Sequence, residues 1–513
     1  MTFQQPPSQQ PYPPASPPAP PGWGAPPSPQ PPRRRGPSRR TVLVGALGVA
    51  VAGGGAAAAV AAGHHSAASA DQGADGSNGW DPGTLPGAAG AAGGISAQEI
   101  AALLDTMNKA LTSRDRAAFT AGYAPGAAAT SAAQLFDNLA HFDFASAAFK
   151  LLGQGSRQFN TGSGATVQID VAFVHQLRGI DAAEVPEWYR FTLARPSEAT
   201  PPRITAATGS PSANGSVKYV YYPAAWDAPG PITVITRPNV VLVAENAHDA
   251  AILARHADEA QAAIAANNAT WSQGHGPDGT SPGVLMVGTS NRERFYELFS
   301  GKANQHGFEA GLTTPLLSAA SMDSPDADIK IGGARITLDL TSSYFTDGRG
   351  EDTPATLFGH EGAHAKLYPL MTAADSTIPL YVVEGVADWL AKHSYPNAIA
   401  ADPNFAAVKA SAAGQIAGSW DGKTFPSNAQ VYASDPTAMA AGYGLSTLIY
   451  HFIFAKKGLD AVCAFAAANY QVPAQGSVPG TDDVAGAASR ALGMDLATFQ
   501  AQWADYVHGL IAA

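Results

Sequence analysis

The spacing of apolar residues after residue 95 predicts helices first and strands second. From Ser96 to Leu111 apolar residues recur three or four positions apart, and Ser96 with Glu99 forms a capping box at the start of this helix. A second helical stretch covers residues 132–140. Extended runs follow between residues 165 and 208, where apolar and polar positions alternate, as expected for antiparallel strands. The pattern predicts a small α+β domain.

The remainder of the chain shows a second α+β pattern. Strand-like runs at 216–222 and 232–245 precede a long alanine-rich helix and a short strand at 283–288. The alternation in "RITLDLTSSYF", from Arg335, is typical of an edge strand. Beyond it the chain reads almost wholly as helix. Strands followed by helices predict a mixed sheet and then a helical subdomain, with residues 216–513 as one domain.

The N-terminal segment has a different composition. Residues 1–40 are rich in proline, glutamine and serine and predict a disordered or polyproline-like tail. Residues 41–63 are uncharged and follow a run of arginines, which predicts a single transmembrane helix with a cytoplasmic N-terminus and an exported body. A twin-arginine-like signal peptide, cleaved after residues 68–70, is the alternative and would give a secreted protein. Residues 64–95 predict a linker.

The composition excludes some partners. The chain has 513 residues, of which 45% are hydrophobic and 14% charged, which is typical of a globular protein with more than one core. Its net charge is -11, and five of its 30 basic residues precede residue 41, so the body is strongly acidic and nucleic acid is excluded as a partner. The single cysteine, Cys463, cannot form an intrachain disulfide and predicts a buried, unreactive thiol.

Candidate chemistry is concentrated in "LFGHEGAHAKLYP", residues 357–369. Thr353 and Pro354 predict the start of a helix, on which His360 and His364 lie one turn apart on one face. Two neutral imidazoles in that arrangement can share one tetrahedral Zn²⁺. Glu361 is turned about 100° away and is placed for general-base chemistry instead of ligation.

A third ligand is needed, and the next predicted helix supplies a candidate. Glu384 follows His364 by twenty residues in "STIPLYVVEGVADWLAKHSYP". Asp388 lies four residues later on the same helix face, where a carboxylate can accept the free imidazole N–H of a ligand. The extended spacing of His-Glu-x-x-His and Glu-Gly-x-x-Asp is far more specific than the five-residue motif alone.

This pattern resembles the gluzincin metallopeptidases, the thermolysin-like group, and in particular the peptidase MA-like domains of bacterial exported proteins. "PLYVVEGVADWL" is similar to that group's Pro-x-aromatic-x-x-Glu-Gly-x-Ala segment, and the likeness extends over about 230–513. The resemblance implies a peptide or protein substrate, a zinc ion held by His360, His364 and Glu384, Glu361 as general base, and Asp388 orienting His360. It also implies an oxyanion-stabilising residue, for which we favour Tyr443, with Tyr450 and His451 behind it.

Two further expectations concern the flanking regions. The order of elements in residues 96–208 resembles the cone-shaped nuclear-transport-factor and ketosteroid-isomerase-like domains, and we interpret this domain as a spacer or binding module. The strand that contains residues 336–340 is expected to pair with an extended peptide substrate. The alternative to an exported, anchored zinc peptidase is an anchored binding or scaffold protein whose zinc site is structural or vestigial.

Overall fold

The predicted α+β class is confirmed by a computed structural model of the protein. The structure describes residues 94–513 apart from 153–156, 162–163, 211–220, 300–308, 322–329, 347–352, 372–377, 396–397, 417 and 472–481. The predicted tail at 1–40 and transmembrane segment at 41–63 lie outside the described residues, as does the predicted linker at 64–95 except for its last two residues. Among the described helices, Pro436–Lys457 is long and apolar enough to cross a membrane, and most of it is buried within the protein.

The first part of the fold is a layer of three helices on an antiparallel sheet. The helices are α1 (Ala97–Ser113), α2 (Arg116–Ala121) and α3 (Ala127–Leu139), and the strands are β1 (Phe144–Leu151), β2 (Arg157–Thr161), β3 (Gly164–Leu177), β4 (Val185–Arg195) and β5 (Arg203–Gly209). The order across the sheet is β1-β3-β4-β5, and β2 pairs with the first half of β3 beyond the end of β1. The capping box of Ser96 and Glu99 begins α1, as expected.

The second sheet contains strands from the following region. Its members are β6 (Thr233–Arg237), β7 (Val240–Ala244), β8 (Val284–Thr289), β9 (Gly311–Leu317) and β10 (Ile331–Asp339), in the order β6-β7-β8-β10-β9. The expectation that "RITLDL" forms an edge strand is wrong. Strand β10 lies between parallel β8 and antiparallel β9, and all but its first residue are buried. The edge strand of this sheet that contacts the helix with His360 and His364 is β9.

Helices cover one face of this second sheet. They include α4 (Ala247–Gln273), α5 (Arg292–Glu297), α6 (Ser343–Thr346), α7 (Pro354–Leu367), α8 (Leu380–Lys392), α9 (Ala398–Ala401), α10 (Pro403–Ala412), α11 (Asn428–Val431), α12 (Pro436–Lys457), α13 (Leu459–Tyr470), α14 (Asp482–Leu492) and α15 (Leu496–Ala512). One large apolar cluster joins most of them to the sheet, and it includes Cys463, which is a buried free thiol.

The second sheet is buried on both faces, and it therefore connects the first sheet and α1–α3 to the later helices. In β7 and β8, Leu242 and Met286 belong to the cluster beneath the helices, whereas Val243 and Val287 belong to a cluster with the first sheet and α1–α3. Burial on both faces explains why these strands are continuous apolar runs without alternation. An apolar core therefore crosses the predicted boundary between residues 208 and 216.

Candidate metal centre

The histidine helix α7 begins where its sequence predicts. Thr353 is its N-cap and accepts a hydrogen bond from the backbone N–H of Thr356, with Pro354 in the first turn. The glycine inside the motif has a packing reason, because a Cβ at Gly362 would lie 2.1 Å from Cδ1 of Ile264 on α4. Nearly every side chain of α7 is buried, including His360, Glu361 and His364.

Helix α8 brings Glu384 to the two histidines. It packs directly on α7 and begins after Pro379, as the sequence predicts. Oε2 of Glu384 lies 3.3 Å from Nε2 of His360 and 3.5 Å from Nε2 of His364, and the two Nε2 atoms are 3.1 Å apart. The three atoms thus form a nearly equilateral triangle with all three side chains facing one point.

This triangle fits a metal ion. Ligand atoms about 2.0–2.1 Å from a tetrahedral Zn²⁺ are about 3.3 Å from each other, which matches the three distances. Glu384 Oε2 is buried and has no hydrogen-bond partner within the described part of the chain, as expected of an atom that ligates a metal. Among the described residues, this buried trio is the group of histidine, cysteine and acidic side chains that could hold a metal ion.

Asp388 lies behind His360 in a buried polar network. Its Oδ1 is 3.5 Å from Nδ1 of His360, and its Oδ2 accepts hydrogen bonds from Lys392 Nζ at 2.9 Å and Thr447 Oγ1 at 3.0 Å. Lys392 also lies 3.5 Å from Asp402. The arrangement places a carboxylate against the imidazole nitrogen that does not face the cluster.

Glu361 is fully buried beside the cluster, close to β9. One carboxylate oxygen, Oε2, accepts a 2.6 Å hydrogen bond from the Thr313 hydroxyl, and the other, Oε1, has no partner among the described residues. Gly311 makes room for this carboxylate, since a Cβ there would lie 2.5 Å from Oε1. Glu361 is therefore held by one oxygen and free at the other.

The charges of the cluster shift the pKa values of its members. For Glu384, burial favours the neutral form, but the neighbouring His364 and His360 outweigh it and lower the pKa to about 2. For His360, burial also favours the neutral form, but the carboxylates of Asp388 and Glu384 outweigh this effect and raise the pKa to about 10. Burial raises the pKa of Glu361 despite the nearby histidines. The two shifts have opposite directions because the carboxylate of Glu384 and the imidazole of His360 stabilise each other's charged form.

The three residues predicted on or near α12 have different environments. Tyr443 is buried with its ring centroid 6.4 Å from that of His360, and its hydroxyl has no hydrogen-bond partner in the described structure. Burial and the charge of Glu384 raise its pKa. Tyr450 instead donates to the carbonyl of Val382, and the ring of His451 lies 6.4 Å from that of Trp389. Of the three, Tyr443 is the one beside the ligands.

Sequence reasoning missed two contacts to the site. The Tyr432 hydroxyl donates a 2.8 Å hydrogen bond to Oε1 of Glu384, and Thr313 holds Glu361 as described. Each contact joins residues 48 positions apart. No motif marks either residue, although Tyr432 lies just before the capped start of α12.

Comparison with known proteins gives no match. No protein-family profile matches the chain, and no curated protein or solved structure is significantly similar to it.

Proposed function

We propose that the protein is a zinc-dependent peptidase that hydrolyses a peptide or protein substrate with Glu361 as general base. The observation that carries the proposal is the position of Glu361, a buried carboxylate beside three convergent ligand atoms, with one oxygen that has no partner among the described residues. The gluzincin-like spacing of the motif supports the same assignment.

The ligand set favours a catalytic zinc site over a structural one. Structural zinc sites usually take four protein ligands, whereas catalytic sites take three and keep one position open. No fourth histidine, cysteine or acidic side chain joins the trio within the described residues. Two histidines and one carboxylate at tetrahedral spacing also form the ligand set of known zinc peptidases.

In this proposal each side chain has a separate task. A bound Zn²⁺ supplies Lewis acidity, which polarises a scissile carbonyl and acidifies water. Glu361 accepts the proton of the attacking water and returns it to the leaving amine, while the bond from Thr313 fixes its orientation. Tyr443 is buried with its ring 6.4 Å from that of His360, and its hydroxyl can donate to the oxyanion that develops on the carbonyl.

A peptide substrate would pair with β9 in place of the expected β10. Pro315 lacks an N–H and is opposite Ala334, and the N–H of Leu317 donates to the Tyr221 hydroxyl, away from β10. Because backbone directions alternate along a strand, Gly311 and Thr313 also direct their N–H and C=O groups away from β10. These two residues contact Glu361, so strand addition there places the backbone of a substrate beside the base.

The proposal includes a location outside the cytoplasm, with the body anchored by residues 41–63 or released after signal cleavage. It rests on the arginines and the uncharged run of the N-terminal sequence. Protease accessibility of the body in intact cells and in spheroplasts tests it, because a cytoplasmic body would be protected in both.

The change Glu361→Gln tests the catalytic assignment. The amide keeps the size of the side chain and an acceptor for Thr313, but it cannot take up a proton. We expect metal content to stay at one ion per chain, and cleavage of a peptide library to fall by about 10²–10⁴-fold. Undiminished cleavage with metal bound would refute the role of Glu361, and a purified wild-type protein unable to bind zinc would refute the proposal as a whole.

A further inference from the structure

The two carboxylate oxygens of Glu384 have different surroundings. Oε2 faces the Nε2 atoms of His360 and His364 and has no hydrogen-bond partner among the residues that the structure describes. Oε1 accepts the 2.8 Å hydrogen bond from Tyr432. One oxygen is thus directed at the candidate metal position and the other is engaged by a tyrosine.

Tyr432 is held in place by the short helix that precedes it. Helix α11 begins at a capping box formed by Ser427 and Gln430, and Tyr432 follows its last residue. Oδ1 of Asn428 accepts a 3.0 Å hydrogen bond from the backbone N–H of Leu380, the first residue of α8. The same segment therefore contacts the first turn of α8 through Asn428 and the metal-ligand position one turn later through Tyr432.

Apolar packing fixes this segment from the other side. Val431 and Leu380 are buried in one small cluster with Tyr443 of α12, and Tyr432 packs against it. Helix α12 approaches so closely that a Cβ at Gly442 would lie 2.4 Å from the carbonyl oxygen of Gln430. With α8 and α12 on either side, the Tyr432 hydroxyl is positioned before any metal or substrate arrives.

We propose that Tyr432 is a positioning residue that holds Glu384 as a one-oxygen ligand and so leaves one position of the metal open for the reaction. The inference rests on the proposed function. A carboxylate without this partner can turn both oxygens toward a metal ion, which would fill the position that a catalytic site keeps open. Outer hydrogen bonds to ligands commonly control ligand orientation in this way.

Two other buried tyrosines near the cluster differ from Tyr432 in one respect. The hydroxyls of Tyr443 and Tyr368 have no hydrogen-bond partner in the described part of the protein, although the Tyr368 ring stacks on that of His364 at 6.1 Å. Removing the Tyr368 hydroxyl frees no carboxylate oxygen. Tyr368→Phe is therefore a matched control for Tyr432→Phe, because it makes the same chemical change beside another ligand.

The test uses the full chain loaded with Co²⁺ in place of Zn²⁺, as wild type, Tyr432→Phe and Tyr368→Phe. For the Co²⁺ form of Tyr432→Phe we expect weaker visible absorption bands, which indicate a higher coordination number of the metal. For its Zn²⁺ form we expect a kcat about 10–100-fold lower than that of the wild type, with little change in KM. For Tyr368→Phe we expect the wild-type Co²⁺ spectrum. Far-UV circular dichroism checks that all three proteins are folded.

The possible failures are distinguishable. A Tyr432→Phe protein with the wild-type Co²⁺ spectrum and wild-type kcat overturns the positioning role and leaves the proposed function intact. A changed spectrum in a protein whose wild type cleaves no peptide overturns the proposed function but supports the contact between Tyr432 and Glu384. A wild-type protein that binds neither Co²⁺ nor Zn²⁺ overturns both.

Discussion

The buried ion pair between Arg335 and Asp181 provides a strong test of how the two sheets are joined. Arg335 lies in β10, and Asp181 follows β3, so the pair connects the second sheet to the first. Nη1 and Nη2 of Arg335 lie 2.5 Å and 3.0 Å from the two carboxylate oxygens. The side chains are 1% and 0% exposed, so water cannot replace either partner.

The change Asp181→Asn keeps the shape of the side chain but removes its charge, and leaves a buried guanidinium without a counter-ion. Breaking a buried pair in this way costs about 3–5 kcal/mol, a large part of the free energy of unfolding of a typical protein. Urea unfolding followed by circular dichroism measures the loss. The double change Asp181→Leu with Arg335→Met removes both charges, and we expect it to cost less than Asp181→Asn alone.

Two results would contradict this reasoning. A loss below about 1 kcal/mol for Asp181→Asn would mean that water or another group reaches the guanidinium. A double variant less stable than Asp181→Asn would mean that the two side chains stabilise the fold by more than the pairing of their charges. The first result would leave the shared apolar core, and not this ion pair, as the contact that joins the two sheets.

Three other changes test the packing around this junction and around the site. Nε2 of His175 faces Arg335, and burial together with that cation lowers the pKa of His175 to about 3. The free energy of unfolding should therefore fall as the pH drops from 6.5 toward 3. The change His175→Gln should flatten this pH dependence in urea titrations. A chain that begins at residue 221 exposes the apolar face of the second sheet and should aggregate, whereas one that begins at residue 96 should be soluble on gel filtration. Gly362→Ala should destabilise the protein by about 1–3 kcal/mol because the new methyl group overlaps Ile264, and adding Ile264→Val should restore part of the melting temperature.

Local signals in the sequence predicted much of the site. Thr353 before Pro354 marks a helix start that the structure confirms, because this cap is a contact between residues three positions apart. The 3.6-residue period likewise places His360 and His364 on one face without any tertiary information. The α+β class follows from the same short-range patterns.

Contacts between distant residues depend on tertiary packing. The alternation in β10 favours an edge strand, but burial depends on which neighbours cover a strand, and here β8 and β9 lie on either side. The hydrogen bond from Tyr432 to Glu384 spans 48 positions and has no local pattern. Local sequence is sufficient to predict which side chains share a helix face, since that depends on the backbone period alone. The packing of α7, α8, α11 and β9 decided which of those side chains meet at the site, because long-range contacts depend on how whole elements fit together.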